Sequence, residues 1–180
     1  MTKVISKIII LSATLLTPLA GGETAKANLD IELITWQGEK STFSDIENTL
    51  TRRIQVDPYS AKDHYLLAHL YIRKYSESPS EMNLLKKASD LAQQSIDLSP
   101  AKEYGYVALA EVLDVMGQTN SALQILRNNS SPFKKGWRTS FIIARLQLDR
   151  LGNDEVLAAL KGALNKKGAS HEIILPYALA

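Results

Sequence analysis

Three histidines, His64, His69 and His171, are the first side chains to test for chemistry. His64 and His69 are five residues apart, which sets them roughly 140° apart around a helix, whereas two histidines that share a metal on one helix are separated by four residues. Asp63 beside His64 completes no ligand set, and His171 is remote in sequence. The chain has no cysteine, which excludes a thiolate zinc site, a thiol nucleophile, a disulfide framework and a lipid attached through sulfur. No glycine-rich phosphate loop, GxSxG elbow or HExxH pattern occurs. Carboxylate pairs such as Glu103 with Glu111, or Asp154 with Glu155, arise readily on solvated helical surfaces and do not establish general acid–base catalysis. The chemistry-bearing residues thus call for no cofactor and no metal, and they point away from an enzyme.

What must position these residues is one domain preceded by an export signal. The 180 residues, 45% of them hydrophobic, suit a soluble domain. Lys3 and Lys7 precede an apolar run from Ile8 to Leu16, and Ala25-Lys26-Ala27 supplies the small-x-small pattern of a signal-peptidase site. Residues 1–27 therefore read as a cleaved signal peptide. The run is too short for a lasting span, which needs about 20 mainly apolar residues, so no stable transmembrane segment is expected after processing. Loss of Lys3, Lys7, Lys26 and Glu23 cancels the formal charge of +2, and with it any global electrostatic case for nucleic acid.

Residues 28–43 read as an N-terminal extension, with Leu29, Ile31 and Leu33 alternating as in a weak strand and Trp36 as a loop anchor. From Ser44 the period becomes helical, and 44–180 is read as one domain. Ile46, Leu50 and Ile54 recur every four residues, Ser44 with Glu47 forms a capping box, and Pro58 closes a helix over about 45–56. Further helices are expected over Ala61–Tyr75, Ser80–Leu98, about Lys102–Met116, from Thr119 to about Arg127, about Lys135–Leu151 and Asp154–Asn165. Residues 170–179 suggest a short cap despite Pro176. Gly117 and Gly152 fall where a first helix ends. One-sided apolar stripes joined by short turns must be buried against one another, which makes the chain all-α, an array of antiparallel hairpins. Spacing from Pro58 to Pro100 is 42 residues and from Gly117 to Gly152 is 35, so one hairpin is longer than the next, with its excess around Lys74 to Met82.

Across about 44–165 the sequence resembles the tetratricopeptide repeat family. Tyr106, Leu109, Ala110, Leu113, Gly117, Ala122 and Leu126 stand at that family's aromatic, small, large and turn positions. Phe141, Ala144, Leu148, Gly152 and Leu157 form a looser unit, in which Arg145 replaces a small residue and Lys161 a large one. His64, Leu67, Ala68 and Tyr71 match a first helix, and Ala88, Ala92, Ser95 and Pro100 its partner after an eight-residue lengthening. The resemblance implies a short solenoid whose first helices line a concave face that binds an extended or helical polypeptide and does no chemistry itself.

Carried over residue by residue, the groove-facing positions are Lys62, Tyr65, His69, Ile72 and Arg73, then Tyr104, Val107, Glu111 and Asp114, then Thr139, Ile142, Leu146, Asp149 and Arg150. Tyr65, Val107 and Ile142 fit a place in the helical core equally well. Tyr65 with His69, and Val107 with Glu111, replace the basic and amide pairs with which some members clamp a terminal carboxylate, so that specificity is not expected. Residues 28–100 are net acidic and 101–180 net basic, a polarity that permits head-to-tail self-association. Lys134, Lys135 and Arg138 beside Phe133 and Trp137 either dock on an anionic surface or simply open a helix whose aromatics pack inward. The resulting expectation is a noncatalytic adaptor or assembly factor in the periplasm or secreted, holding a protein or peptide of the cell envelope. The alternative class is a helical cell-wall- or carbohydrate-active enzyme using surface carboxylates.

Overall fold

The computed structural model describes residues 42–128, 136–147 and 153–165, all within one compact unit, Leu33–Ala180. The expected signal peptide, residues 28–41 of the N-terminal extension, Gly152, Asp149, Arg150 and the cap over 170–179 lie outside them, while Thr42 and Phe43 of that extension belong to α1 and its cap. Among the described residues every regular element is a helix: α1 (Phe43–Val56), α2 (Ala61–Glu77), α3 (Met82–Leu98), α4 (Tyr104–Val115), α5 (Thr119–Arg127), α6 (Trp137–Arg145) and α7 (Asn153–Leu164). They pair as the hairpins α2/α3, α4/α5 and α6/α7, with α1 packed on α2 and the first helices α2, α4 and α6 meeting in sequence.

The start of α1 differs from the sequence expectation by two residues. Thr42, not Ser44, is the cap: its side chain accepts from the Asp45 N–H, and the Asp45 carboxylate accepts from the Thr42 N–H at 3.1 Å. Those bonds hold the Asp45 carboxyl below its ordinary pKa. Glu47 is thereby left to accept from the Tyr71 hydroxyl at 2.7 Å, while Ile46 and Leu50 bury the apolar stripe. Burial, followed by the Glu47 contact, pushes the Tyr71 phenol upward.

The long hairpin absorbs its extra residues as helix. α2 continues to Glu77 and α3 begins at Met82, leaving a four-residue turn. Ala88, Ala92 and Ser95 are all buried, and Ser95 Oγ donates to the Ala61 carbonyl at 2.7 Å, so small residues on α3 admit both neighbours closely. On the next helix a Cβ at Gly105 would stand 2.6 Å from the Ala92 carbonyl oxygen and the Ile96 nitrogen. Glycine is required there because two helix backbones almost touch.

Gly117 ends α4 as expected. Its φ is +77°, and bonds from the Gly117 N–H to the Asp114 carbonyl and from the Gln118 N–H to the Leu113 carbonyl, both 2.8 Å, form the paired closure in which a left-handed residue follows the last turn. α6 is shorter than the expected Lys135–Leu151. It starts at Trp137 and its last turn closes at Leu146, whose N–H bonds to the Ile142 carbonyl. In α7, Val156, Leu160 and Ala163 form the buried stripe and Lys161 points to solvent.

Candidate functional site

The inner faces of α2, α4 and α6 carry the positions that the repeat resemblance singles out, and the fold treats them unequally. Tyr65, Ile72, Val107, Glu111, Ile142 and Leu146 are buried, as is Thr139. Lys62, His69, Arg73, Tyr104 and Asp114 remain partly accessible. Tyr65, Val107 and Ile142 thus take the core role that their sequence positions equally allowed. A helical stripe read from spacing gives the angle of a side chain about its own axis, not what the next helix lays over it.

Glu111 is at the centre. Its Oε2 lies 3.0 Å from His69 Nδ1, and its Oε1 accepts from Arg145 Nη1 at 3.2 Å, which links α2, α4 and α6 through one carboxylate. Burial by itself would raise the Glu111 pKa; the charge and hydrogen bond of His69, then those of Arg145, outweigh it and hold the carboxyl below its ordinary value. Arg145 Nη2 also lies 4.0 Å from Asp114. Arg145 occupies the slot where the repeat pattern has a small residue, and the charge at 111 is what makes a long cation fit there.

A second carboxylate holds the other end of the same junction. Glu103, buried just before α4, accepts from the Gly136 N–H at 2.7 Å, the Thr139 N–H at 3.0 Å and the Thr139 hydroxyl at 2.8 Å. An anion at the start of α6 also answers that helix's unpaired N–H groups. Arg138 lies 3.8 Å from Glu103, and its guanidinium stands over three rings, with Cζ 4.5 Å from the Trp137 centroid, 5.2 Å from Tyr104 and 5.8 Å from Tyr65. Tyr65 in turn stacks on His69 at 6.1 Å and meets Tyr104 at 5.7 Å. Burial first, then the charge of Glu111, pushes the Tyr65 phenol upward, with Arg138 opposing.

Of the basic cluster noted in the sequence, Arg138 therefore turns inward with Trp137. The sequence marks Glu103 only as half of a carboxylate pair, and its seat under α6 is a finding of the structure. One signal was available: Glu103 and Glu111 are two helical turns apart, as Arg138 and Arg145 nearly are. Both oxygens of Glu111 and Oε2 of Glu103 are committed to protein donors, a structural role for the pair. Among the described residues no three His, Asp or Glu side chains are grouped to hold a metal ion, and no helix is long and apolar enough to cross a membrane.

This all-α stack of hairpins is a helical-repeat solenoid. A solved structure, a thermophilic tetratricopeptide repeat protein of Thermus thermophilus, is similar with a TM-score of 0.59 and 16% identity, over 86% of this chain and 76% of that one. At that identity the likeness shows the fold. No protein-family model and no curated protein matches the chain.

Proposed function

We propose that this protein is an exported, noncatalytic adaptor or assembly factor that binds a polypeptide of the cell envelope along the inner faces of α2, α4 and α6. The observation that carries the reading is the layering of charge on that face. Glu103 and Glu111 lie beneath it, buried and hydrogen-bonded to protein donors, while His69, Arg138 and Arg145 keep 17%, 16% and 28% of their side chains exposed above them. Side chains fixed in position by buried anions retain outward donors without having to be ordered on binding, which lowers the cost of capturing acceptors on a partner. Lys62 and Arg73 lie on the same helix as His69, and the partly accessible Tyr104 adds amphipathic contact. The buried positions Ile72, Val107, Ile142 and Leu146 support this face from below. The similarity to a tetratricopeptide repeat protein agrees with a protein-binding role, and the basic start, apolar run and Ala25/Ala27 pair are the grounds for export.

A photo-crosslinking residue placed at His69 should yield polypeptide adducts in the native host, and one at the exposed Gln94 on α3 should not. Against the partner so identified, Arg145→Ala should weaken calorimetric affinity about tenfold, or about 1.4 kcal/mol. Adducts from Gln94 alone would move binding to the outer face and end this reading. Mass spectrometry of the native protein should find an amino terminus at Asn28; a retained Met1 would remove the export part.

A further inference from the structure

At the centre of the inner face, Glu111 fixes the tautomer of His69. The Glu111 carboxyl is held below its ordinary pKa, so at neutral pH it is ionised and can only accept a hydrogen bond. With Oε2 3.0 Å from His69 Nδ1, the proton of a neutral imidazole sits on Nδ1 and is spent inside the junction. The two ring nitrogens diverge, so Nε2 faces away from the buried carboxylate, on a side chain that stays partly accessible. There a neutral ring turns a lone pair to an approaching group, and an imidazolium turns an N–H. Arg138 and Arg145 are donors whatever the pH, because a guanidinium keeps its proton. His69 becomes an outward donor only when it is charged.

The groups around the ring leave that change to the imidazole. On α2 itself Tyr65 stacks on His69, and Lys62 and Arg73 share the helix. From α4 come Glu111 and, beyond it, Asp114; from α6 come Arg145, on the other oxygen of Glu111, and Arg138, over the Tyr65 ring. Charged groups of α1 and α3 meet other residues of α2: Arg53 pairs with Asp63, Glu47 accepts from the Tyr71 hydroxyl, and Lys87 lies over the Tyr71 ring. Histidine is the side chain whose ordinary titration falls between about pH 5 and about pH 8. Over that interval Glu111 stays an anion and the Tyr65 phenol keeps its proton, so the carboxylate holds Nδ1 whichever charge the ring carries.

We propose that His69 is a proton-operated contact of the polypeptide site: the imidazolium donates its Nε2–H to an acceptor oxygen of the bound chain, so that binding takes up a proton and tightens as the pH falls. The inference rests on the polypeptide-binding reading and adds its regulation. An acceptor oxygen stabilises the charged ring and is opposed by the lone pair of the neutral one, and by linkage the affinities for the oxygen and for the proton rise together.

Two measurements on the full chain test this. Long-range proton–nitrogen spectra of the protein alone at about pH 8 should show His69 protonated at Nδ1 and bare at Nε2; the opposite tautomer overturns the proposal without any partner. Calorimetric affinity for the polypeptide identified by crosslinking at position 69 should be about fivefold tighter at about pH 6 than at about pH 8, with a heat that varies with the buffer in the sense of proton uptake. His69→Asn, which keeps an N–H for Glu111 and cannot titrate, should fold by circular dichroism and lose both effects; His69→Gln takes its place if it does not fold. Affinity indifferent to pH, or the same pH dependence in the substituted chain, overturns the proposal, and crosslinks persisting from position 69 then leave polypeptide binding intact. Absence of those crosslinks ends both.

Discussion

The contact of α3 with α4 and the contact of α4 with α6 bury helix surface by opposite means. On one side Ala88, Ala92, Ser95 and Gly105 bring backbones together, and the one buried hydroxyl among them is satisfied by the nearby Ala61 carbonyl. On the other, Glu103 and Glu111 sit inside the junction and are answered by Arg138, Arg145, His69 and the first N–H groups of α6. The apolar contact depends on shape and is indifferent to ionisation; the ionic contact depends on both partners being charged and present. A repeat solenoid, in which each unit leans only on its neighbours, can therefore be firm at one junction and conditional at the next.

That contrast is broken most severely by removing the central anion. Glu111→Ala strands Arg145 and His69 and should cost about 3 kcal/mol, with the loss of protection in hydrogen exchange concentrated in α6 and α7; a uniform loss across α2–α7 would mean that the junctions are not distinct. The next largest effect belongs to the apolar side. Gly105→Ala gains helix propensity but drives a Cβ to 2.6 Å from two backbone atoms of α3, for a net loss of about 2 kcal/mol in urea denaturation. Salt should leave that loss unchanged, whereas an increase with salt would show that charge contributes there too.

The smallest effect at neutral pH, and the one that separates the junctions most cleanly, is acid. The folded-state pKa of Glu111 lies below its unfolded value near 4.5, so the stability carried by its ionised form is complete above about that pH and disappears as the pH falls through the folded value. Trp137 fluorescence, followed in a Trp36→Phe chain, should report acid loosening of α6 before far-ultraviolet circular dichroism reports loss of α2 and α3. In Glu111→Gln that early step should vanish.

Much of this architecture was legible. The four-residue recurrence of Ile46 and Leu50, the proline after α1 and the glycine after α4 each mark a local event, and each element appears where those marks fall. The cap of α1 shows the limit of such signals: Thr42 with Asp45 and Ser44 with Glu47 have the same spacing, and only Tyr71, arriving from α2 to take Glu47 and meet the Phe43 ring at 6.1 Å, distinguishes them. The expected length of α6 exceeds the observed one because an apolar-periodic pattern continues past Arg145 although the chain turns there.

The sequence by itself determined which residues share a helix face and where most helices stop, because both follow from spacings of three or four residues and from the backbone limits of proline and glycine. Only the tertiary structure decided which face is covered and by what. Glu111 finds His69 from 42 residues away and Arg145 from 34, and no local periodicity encodes a pairing at that range. Whether Tyr65, Val107 and Ile142 meet a partner or their own neighbours is settled by the same long-range geometry, since burial belongs to the arrangement of helices and not to the pattern along any one of them.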